Sequence, residues 1–203
     1  MLSSISPFGE RARASRWWLT TTAYVVSSTL GGLAIGLLAA LVGALVPQGW
    51  RLSPTGFVVA ALLLLVGLAL DLRVGGLELP SWRRQVDEAW IGRYRGWVVG
   101  VGFGAQLGFG VVTIVTSSTT YAVVLLSLLS GTPWVGALLG VVFGLVRALP
   151  LVLMARVDSR ERLWEALRGV ALGARVADIV ARVGLSLGAT VLAIAPLTMA
   201  TWT

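Results

Sequence analysis

Arg147 is the one charged side chain between Gly96 and Pro150 in a chain of 203 residues. It sits in Gly136-Ala-Leu-Leu-Gly140-Val-Val-Phe-Gly144-Leu-Val-Arg147-Ala-Leu-Pro150. A guanidinium inside an apolar run is costly, so it marks a functional position by default. It suits an anion, a substrate carboxylate or a partner's acid. The structural alternative is an arginine that reaches along its own stem toward lipid headgroups. Pro150, three residues on, removes a backbone donor and can kink a helix, freeing carbonyls for water or a cation; a kink that serves only packing is the simpler reading. Gln106, Thr113, Thr116, Ser117, Ser118, Thr119 and Thr120 form a second constellation. At membrane depth an amide and a run of hydroxyls must find hydrogen-bond partners. They serve either to hold helices together or to line a discontinuous helix of the kind that carries substrate in transporters.

The elements that must position these groups are membrane spans. Composition is 57% apolar and only 12% charged, about half the charge of an average soluble domain. Cysteine and histidine are absent, which excludes disulfides, thiol relays, thiolate metal sites and imidazole acid–base chemistry within this chain. No metal or cofactor is expected. With only Met1, Met154 and Met199 as soft ligands, haem ligation is disfavoured. The net charge of +7 does not indicate nucleic acid, because the arginines fall between apolar spans as positive-inside sorting requires. No nucleotide-binding, hydrolase or kinase signature is present. The glycines from Gly100 to Gly110 lie in an apolar span with no preceding strand, unlike a dinucleotide loop.

Hydropathy predicts an all-α, polytopic integral membrane helix bundle forming a single domain. Spans are expected at about 19–46, 55–72, 97–130, 133–155 and 183–202, with cytoplasmic segments 1–18, 73–96 and 156–182. The first apolar run lacks a small-residue cleavage motif and is expected to stay as an anchor. The second span ends at Asp71 and Arg73. In the loop after it, Trp82, Val86 and Trp90 recur every four residues among Arg83, Arg84, Asp87 and Arg93, the pattern of an interfacial helix. In 156–182, Leu163, Leu167, Val170, Ala174 and Ala177 oppose Glu161, Glu165, Arg168 and Arg175 at helical spacing. Nearly all of the nine tryptophans fall at predicted span ends, where amphipathic rings settle.

The block 97–155 is divided by charge. Arginines cluster before it (73, 83, 84, 93, 95) and after it (156, 160, 162, 168, 175, 182). If both clusters are cytoplasmic, the block crosses an even number of times. Residues 97–130 would make a helix of ~50 Å against ~30 Å of hydrocarbon, so a broken or re-entrant helix is expected, interrupted at the Thr/Ser patch. The rival division makes three crossings of the block and six in all. Gly96, Gly100, Gly104 and Gly108, and again Gly136, Gly140 and Gly144, recur every fourth position. Such stripes let another helix approach closely. Thr20-Thr-Thr-Ala-Tyr24 and Ser117-Ser-Thr-Thr-Tyr121 are also alike, a hint of an internal repeat.

Gly100-Val-Gly-Phe-Gly104, Leu125-Leu-Ser-Leu-Leu-Ser-Gly131 and Gly136 to Pro150 give residues 97–155 a further property. The stretch resembles the transmembrane domain of the cytochrome c biogenesis and DsbD-like thiol-reductant carriers, a group similar to the LysE-type exporter superfamily. The resemblance implies a Gly-rich broken helix followed by a helix closing on a Leu-Pro pattern. Those carriers move electrons through Pro-Cys elements, which are missing here, and the N-terminal half is one span short of their usual six. The resemblance therefore implies the scaffold without the redox chemistry, and no catalytic residue is carried over.

Two functions follow as expectations. One is a small transporter or permease-like protein with its pathway at the broken helix. The other is a non-catalytic membrane subunit or assembly factor of a larger complex. Neither is an enzyme. The expected partners are the lipid bilayer and either other membrane subunits or a second copy. The expected location is a bacterial plasma membrane, multi-pass, with the N-terminus cytoplasmic.

Overall fold

A computed structural model describes residues 16–76, 93–110, 117–157 and 159–199. Every regular element among them is helical. In chain order they are α1 (Trp17–Leu45), a short α2 (Gln48–Arg51), α3 (Pro54–Asp71), α4 (Gly96–Phe109), α5 (Thr119–Ser130), α6 (Pro133–Leu153) and α7 (Arg160–Met199). Two 3-10 turns follow α3 and α6, at Val74–Gly76 and Met154–Arg156. Four helices, α1, α3, α6 and most of α7, are long and apolar enough to cross a membrane. The predicted interfacial helix around Trp82 to Trp90, and the candidates Thr113 and Thr116, lie outside the described residues.

Local signals set the helix ends. Ser53 accepts a hydrogen bond from Gly56 N at 3.0 Å and Pro54 occupies the first helical turn of α3, a favourable start for a helix. α4 ends at Gly110 and α5 at Gly131, both left-handed, with φ of 65° and 53°, the conformation that ends helices at little cost only for glycine. Pro133 begins α6. This helix runs through Pro150, which sits in its last turn.

α1 is the central helix, with α4 and α6 packed along it and α5 continuing beyond α4. The contacts are made by backbone. A methyl group added to Gly100, Gly104 or Gly108 would fall on the carbonyl oxygens of Thr20, Tyr24 or Ser28. One added to Gly136, Gly140 or Gly144 would fall on those of Gly36, Gly32 or Ser28. The partner glycines on α1 are equally closed: Gly32 faces Gly140 O, Gly36 faces Gly136 O and Gly43 faces Leu128 O. Small residues are what allow two helix axes to come this near, and the approach also permits Cα–H···O contacts.

These pairings fix directions. Residue numbers rise together on α1 and α4, so the two run parallel; they oppose one another on α1 and α6, which run antiparallel. α5 carries on in the direction of α4, because its C-terminal Leu128 lies against Gly43 near the end of α1. Buried hydroxyls tie the faces together. Ser28 Oγ donates to Gly144 O of α6 at 2.9 Å, and Ser27 Oγ lies 3.4 Å from Gly100 O of α4 while also donating within α1 to Tyr24 O at 3.1 Å.

The second unit is the α3–α7 pair, joined by side chains. Leu64, Leu185 and Ala189 form its buried centre, with Leu68, Leu192, Ala122 and Leu125 against it. α7 is a single helix of 40 residues, ~60 Å long, and no backbone break marks the change from charged to apolar residues near Arg182. At the far end Arg51 fastens the bundle. Its Nη1 donates to Leu129 O at 2.7 Å and its Nε to Val46 O at 3.1 Å, so one guanidinium satisfies the last carbonyls of both α1 and α5.

Candidate functional site

The interruption between α4 and α5 is where the polar groups gather. α4 has 14 residues and α5 has 12, ~21 and ~18 Å, so each alone is short of the ~30 Å hydrocarbon. Placed end to end along α1 they reach across it. Their junction lies beside the middle of α1, because Gly108 meets Ser28, and Gly31 faces Ala105 and Phe109.

Asp71, the last residue of α3, caps the start of α5 from outside. Its carboxylate accepts from Ser118 N at 2.9 Å, Ser118 Oγ at 2.7 Å and Ser117 Oγ at 3.2 Å. Ser117 Oγ in turn accepts from Thr119 N at 3.3 Å and Thr119 Oγ1 at 3.2 Å. A carboxylate here fills donors that no earlier helical turn can fill and faces the positive end of the helix dipole. Arg182 on α7 donates from Nη2 to Asp71 O at 3.4 Å and forms an ion pair with Asp178 at 2.7 Å. The same residue therefore ties α3 and α7 to the junction.

Arg147 approaches the junction from α6. Its Nη1 donates to Thr120 Oγ1 at 3.2 Å. Its guanidinium carbon stands 5.2 Å from the centre of the Phe143 ring, within the range of a cation–π contact. Gly110 completes the wall: a Cβ there would lie 2.8 Å from Thr120 Cγ2 and 3.2 Å from both Arg147 Nη1 and Phe143 Cε1. Tyr24 on α1, 6% exposed, belongs to the buried cluster that includes Ala148, the residue after Arg147.

The candidates separate accordingly. Ser117, Ser118, Thr119, Thr120 and Arg147 meet at the junction. Pro150 lies one turn past Arg147 on the same helix. Gln106 is half-buried on α4, and no hydrogen bond joins it to Arg147 among the described residues. The hydroxyl runs that look alike are used differently: Thr20 and Ser28 are wholly buried inside a helix face, whereas Ser117 and Ser118 open a helix. Sequence reading missed Asp71 and Tyr24 as members of the site. The first looks like an ordinary helix end; the signal was the hydroxyl run itself, which needs an acceptor for its leading N–H groups. The second sits among other span residues with nothing to single it out.

An apolar cavity of about 280 Å³ lies next to the junction, between Leu63, Leu64, Gly67, Tyr121, Leu125 and Leu185. A second, at the other end beside Trp50, Ser53 and Val59, measures about 550 Å³. No group of three or more acidic residues suited to a metal occurs among the described residues.

No family model matches the chain, and no solved structure matches it. Among curated proteins it is similar to the methylamine utilization protein MauF of Paracoccus versutus, a bacterial protein, with 32% identity over 172 residues. The match covers 80% of this chain and 61% of MauF, so the chain spans about three fifths of the relative's length. The chain is thus a helical protein with several helices fit to cross a membrane, similar over most of its length to part of a bacterial methylamine utilization protein.

Proposed function

We propose that the chain is the membrane-embedded component of a methylamine-utilization-type system, working as an accessory subunit or assembly factor. The similarity to MauF carries this reading. The glycine faces of α4 and α6 are consumed by α1, and α3 and α7 form the outer flank, with Leu172, Val176, Ile179 and Val180 exposed. No catalytic step is assigned to the chain itself. In this reading it crosses the membrane five times, with α4 and α5 together making one crossing. The antiparallel order puts Arg16, Arg73, Arg93 and Arg95 toward one end, taken as cytoplasmic by the positive-inside pattern. Isolation of a tagged chain from its own membranes tests the proposal. A second protein needed for growth on methylamine is expected in constant ratio to it. A lone monomer, with amine growth unaffected by deletion of the gene, would overturn the proposal.

A permease is the second reading. It is favoured by the broken helix with Arg147 at its interruption, the arrangement in which transporters hold substrate. The likeness of residues 97–155 to thiol-reductant carriers bears on this scaffold only. Uptake or efflux by reconstituted vesicles that disappears in Arg147→Gln would support it, and vesicles inert to every amine and carboxylate tried would rule it out.

A further inference from the structure

We infer that the outward face of α7 is where two copies of this chain pair, helix beside parallel helix. The pairing neither requires nor excludes the accessory-subunit reading.

Lipid cannot cover the whole of this face. α3 is a span of 18 residues, ~27 Å, close to the thickness of the hydrocarbon. Its last residue, Asp71, meets Arg182 of α7, whose Nη2 donates to Asp71 O at 3.4 Å. Arg182 and its ion-pair partner Asp178 therefore mark the edge of the hydrocarbon on α7. Residues 160–181 continue the same helix for another ~33 Å, and the charges from Glu161 to Asp178 keep that length among headgroups and water. Yet Leu172, Val176, Ile179 and Val180 on it are each more than half exposed. An apolar stripe standing outside lipid marks a surface for protein. Leu185 and Ala189 point the opposite way, into the contact with α3, so the stripe faces away from the rest of the chain.

Spacing selects the occupant. Gly169, Val176 and Val183 recur every seven residues, and Leu172 and Ile179 follow the first two by three. That is the seam of a two-stranded parallel coiled coil, with β-branched residues recurring at the first core position. Arg162 and Glu165 hold the seam positions before Gly169 and end it there. Toward the membrane Ser186 and Thr190 continue it, their hydroxyls already donating to Arg182 O and Ser186 O of their own helix. Gly169 and Gly173 meet nothing within 4 Å, unlike the closed glycines of α4 and α6, and let a second helix come near at this end.

Charge selects the direction. Arg168, Arg175 and Arg182 line one edge of the stripe, again seven apart. In a parallel pair this edge faces Gly173, Val180 and Leu187 of the second copy, and the arginine stems can lie over apolar groups. In an antiparallel pair the two arginine rows would face each other, which like charges oppose. Copies inserted the same way in one bilayer can meet only in the parallel sense, so the charge pattern and the membrane agree. The seam is short, but the helix is already formed and its copies are confined to one membrane. Both lower the cost of pairing.

The chain has no cysteine, so single cysteines report the contact directly. In native membranes under mild oxidation, Val176→Cys and Ile179→Cys should each give a covalent dimer on non-reducing gels. Ala174→Cys, exposed on the opposite side of α7, should give about 10-fold less, because a disulfide forms only between Cα atoms within about 7 Å. Leu172→Glu and Ile179→Glu added to Val176→Cys should remove the cross-link without lowering the amount of chain in the membrane, since both side chains are exposed on the single copy. No dimer from either seam cysteine, as much dimer from Ala174→Cys, or a cross-link that survives the two glutamates would overturn the inference. A dimer with no methylamine-growth protein bound to it would uphold the inference and count against the accessory-subunit reading. A seam cysteine that joins such a protein in place of a second copy would do the reverse.

Discussion

The α1–α4–α6 core and the α3–α7 pair solve the same problem by opposite means. In the core, backbone meets backbone: Gly32 against Gly140, Gly36 against Gly136, Ser28 against Gly108 and Gly144. In the pair, leucines meet leucines, and a cavity of about 280 Å³ remains beside them. Lipid is as apolar as leucine, so burying Leu64 gains little over leaving it in the bilayer. What remains is the number and closeness of contacts. The glycine faces maximise these and tolerate no added atom. The leucine faces adjust. A rigid core and a compliant flank therefore lie side by side, and the polar junction of Asp71, Ser118, Thr120 and Arg147 is built where they meet.

Substitutions can break that contrast in order of severity. Gly140→Leu should give the largest effect, because a side chain would have to pass through Gly32 O; no monodisperse protein is expected by size-exclusion chromatography in detergent. Gly140→Ala asks for one methyl in the same place and should cost about 1–3 kcal/mol, read as a lowered midpoint of thermal unfolding. A fully stable Gly140→Ala would show that the core is as yielding as the flank. Asp71→Ala removes hydrogen bonds to three donors at the start of α5. Charged hydrogen bonds are worth about 1.5–3 kcal/mol each when one partner is lost, but the freed donors regain water or local partners, so a net loss near 2 kcal/mol is expected. Faster amide exchange should be confined to residues 118–122 if the carboxylate acts as a cap.

The flank should respond more mildly. Leu64 is 3% exposed, yet Leu64→Ala leaves a hole beside an existing cavity that α7 can move to fill. The expected cost is about 1 kcal/mol, below the usual core value for such a truncation. A cost above that of Gly140→Ala would reverse the comparison. Gly173→Ala should be the smallest change. A methyl there meets nothing within 4 Å, and replacing an interior helix glycine with alanine is favourable by up to about 1 kcal/mol; helicity and midpoint should hold or rise slightly.

Parts of this could be read from residue order. The run from Pro133 to Leu153 shows its helix through hydropathy and its glycine face through period. The Thr/Ser patch marks the place where α4 and α5 separate, since Ser and Thr favour helix starts over helix interiors. Other parts were invisible. Asp71 ends an apolar helix as many acids do, and nothing near it in sequence points to Ser118, 47 residues away. Tyr24 and Arg147 lie on helices far apart in sequence, brought together through Ser28 with Gly144, Gly32 with Gly140 and Gly36 with Gly136. Fourfold glycine spacing announces a close contact, but it does not say that both stripes, on α4 and on α6, use the same helix.

The chain's own order of side chains decided what is local. Apolar runs of sufficient length must become helices in lipid, because no water is there to satisfy their peptide groups. Glycine, proline and hydroxyl residues set where those helices stop, through φ, a missing donor or a competing acceptor. The folded bundle decided what is mutual. Which carbonyl closes over Gly140, which carboxylate caps Ser118 and which ring supports Arg147 depend on how helices far apart in sequence come to lie against one another. Packing energy of that kind belongs to pairs of surfaces, and no single segment contains it.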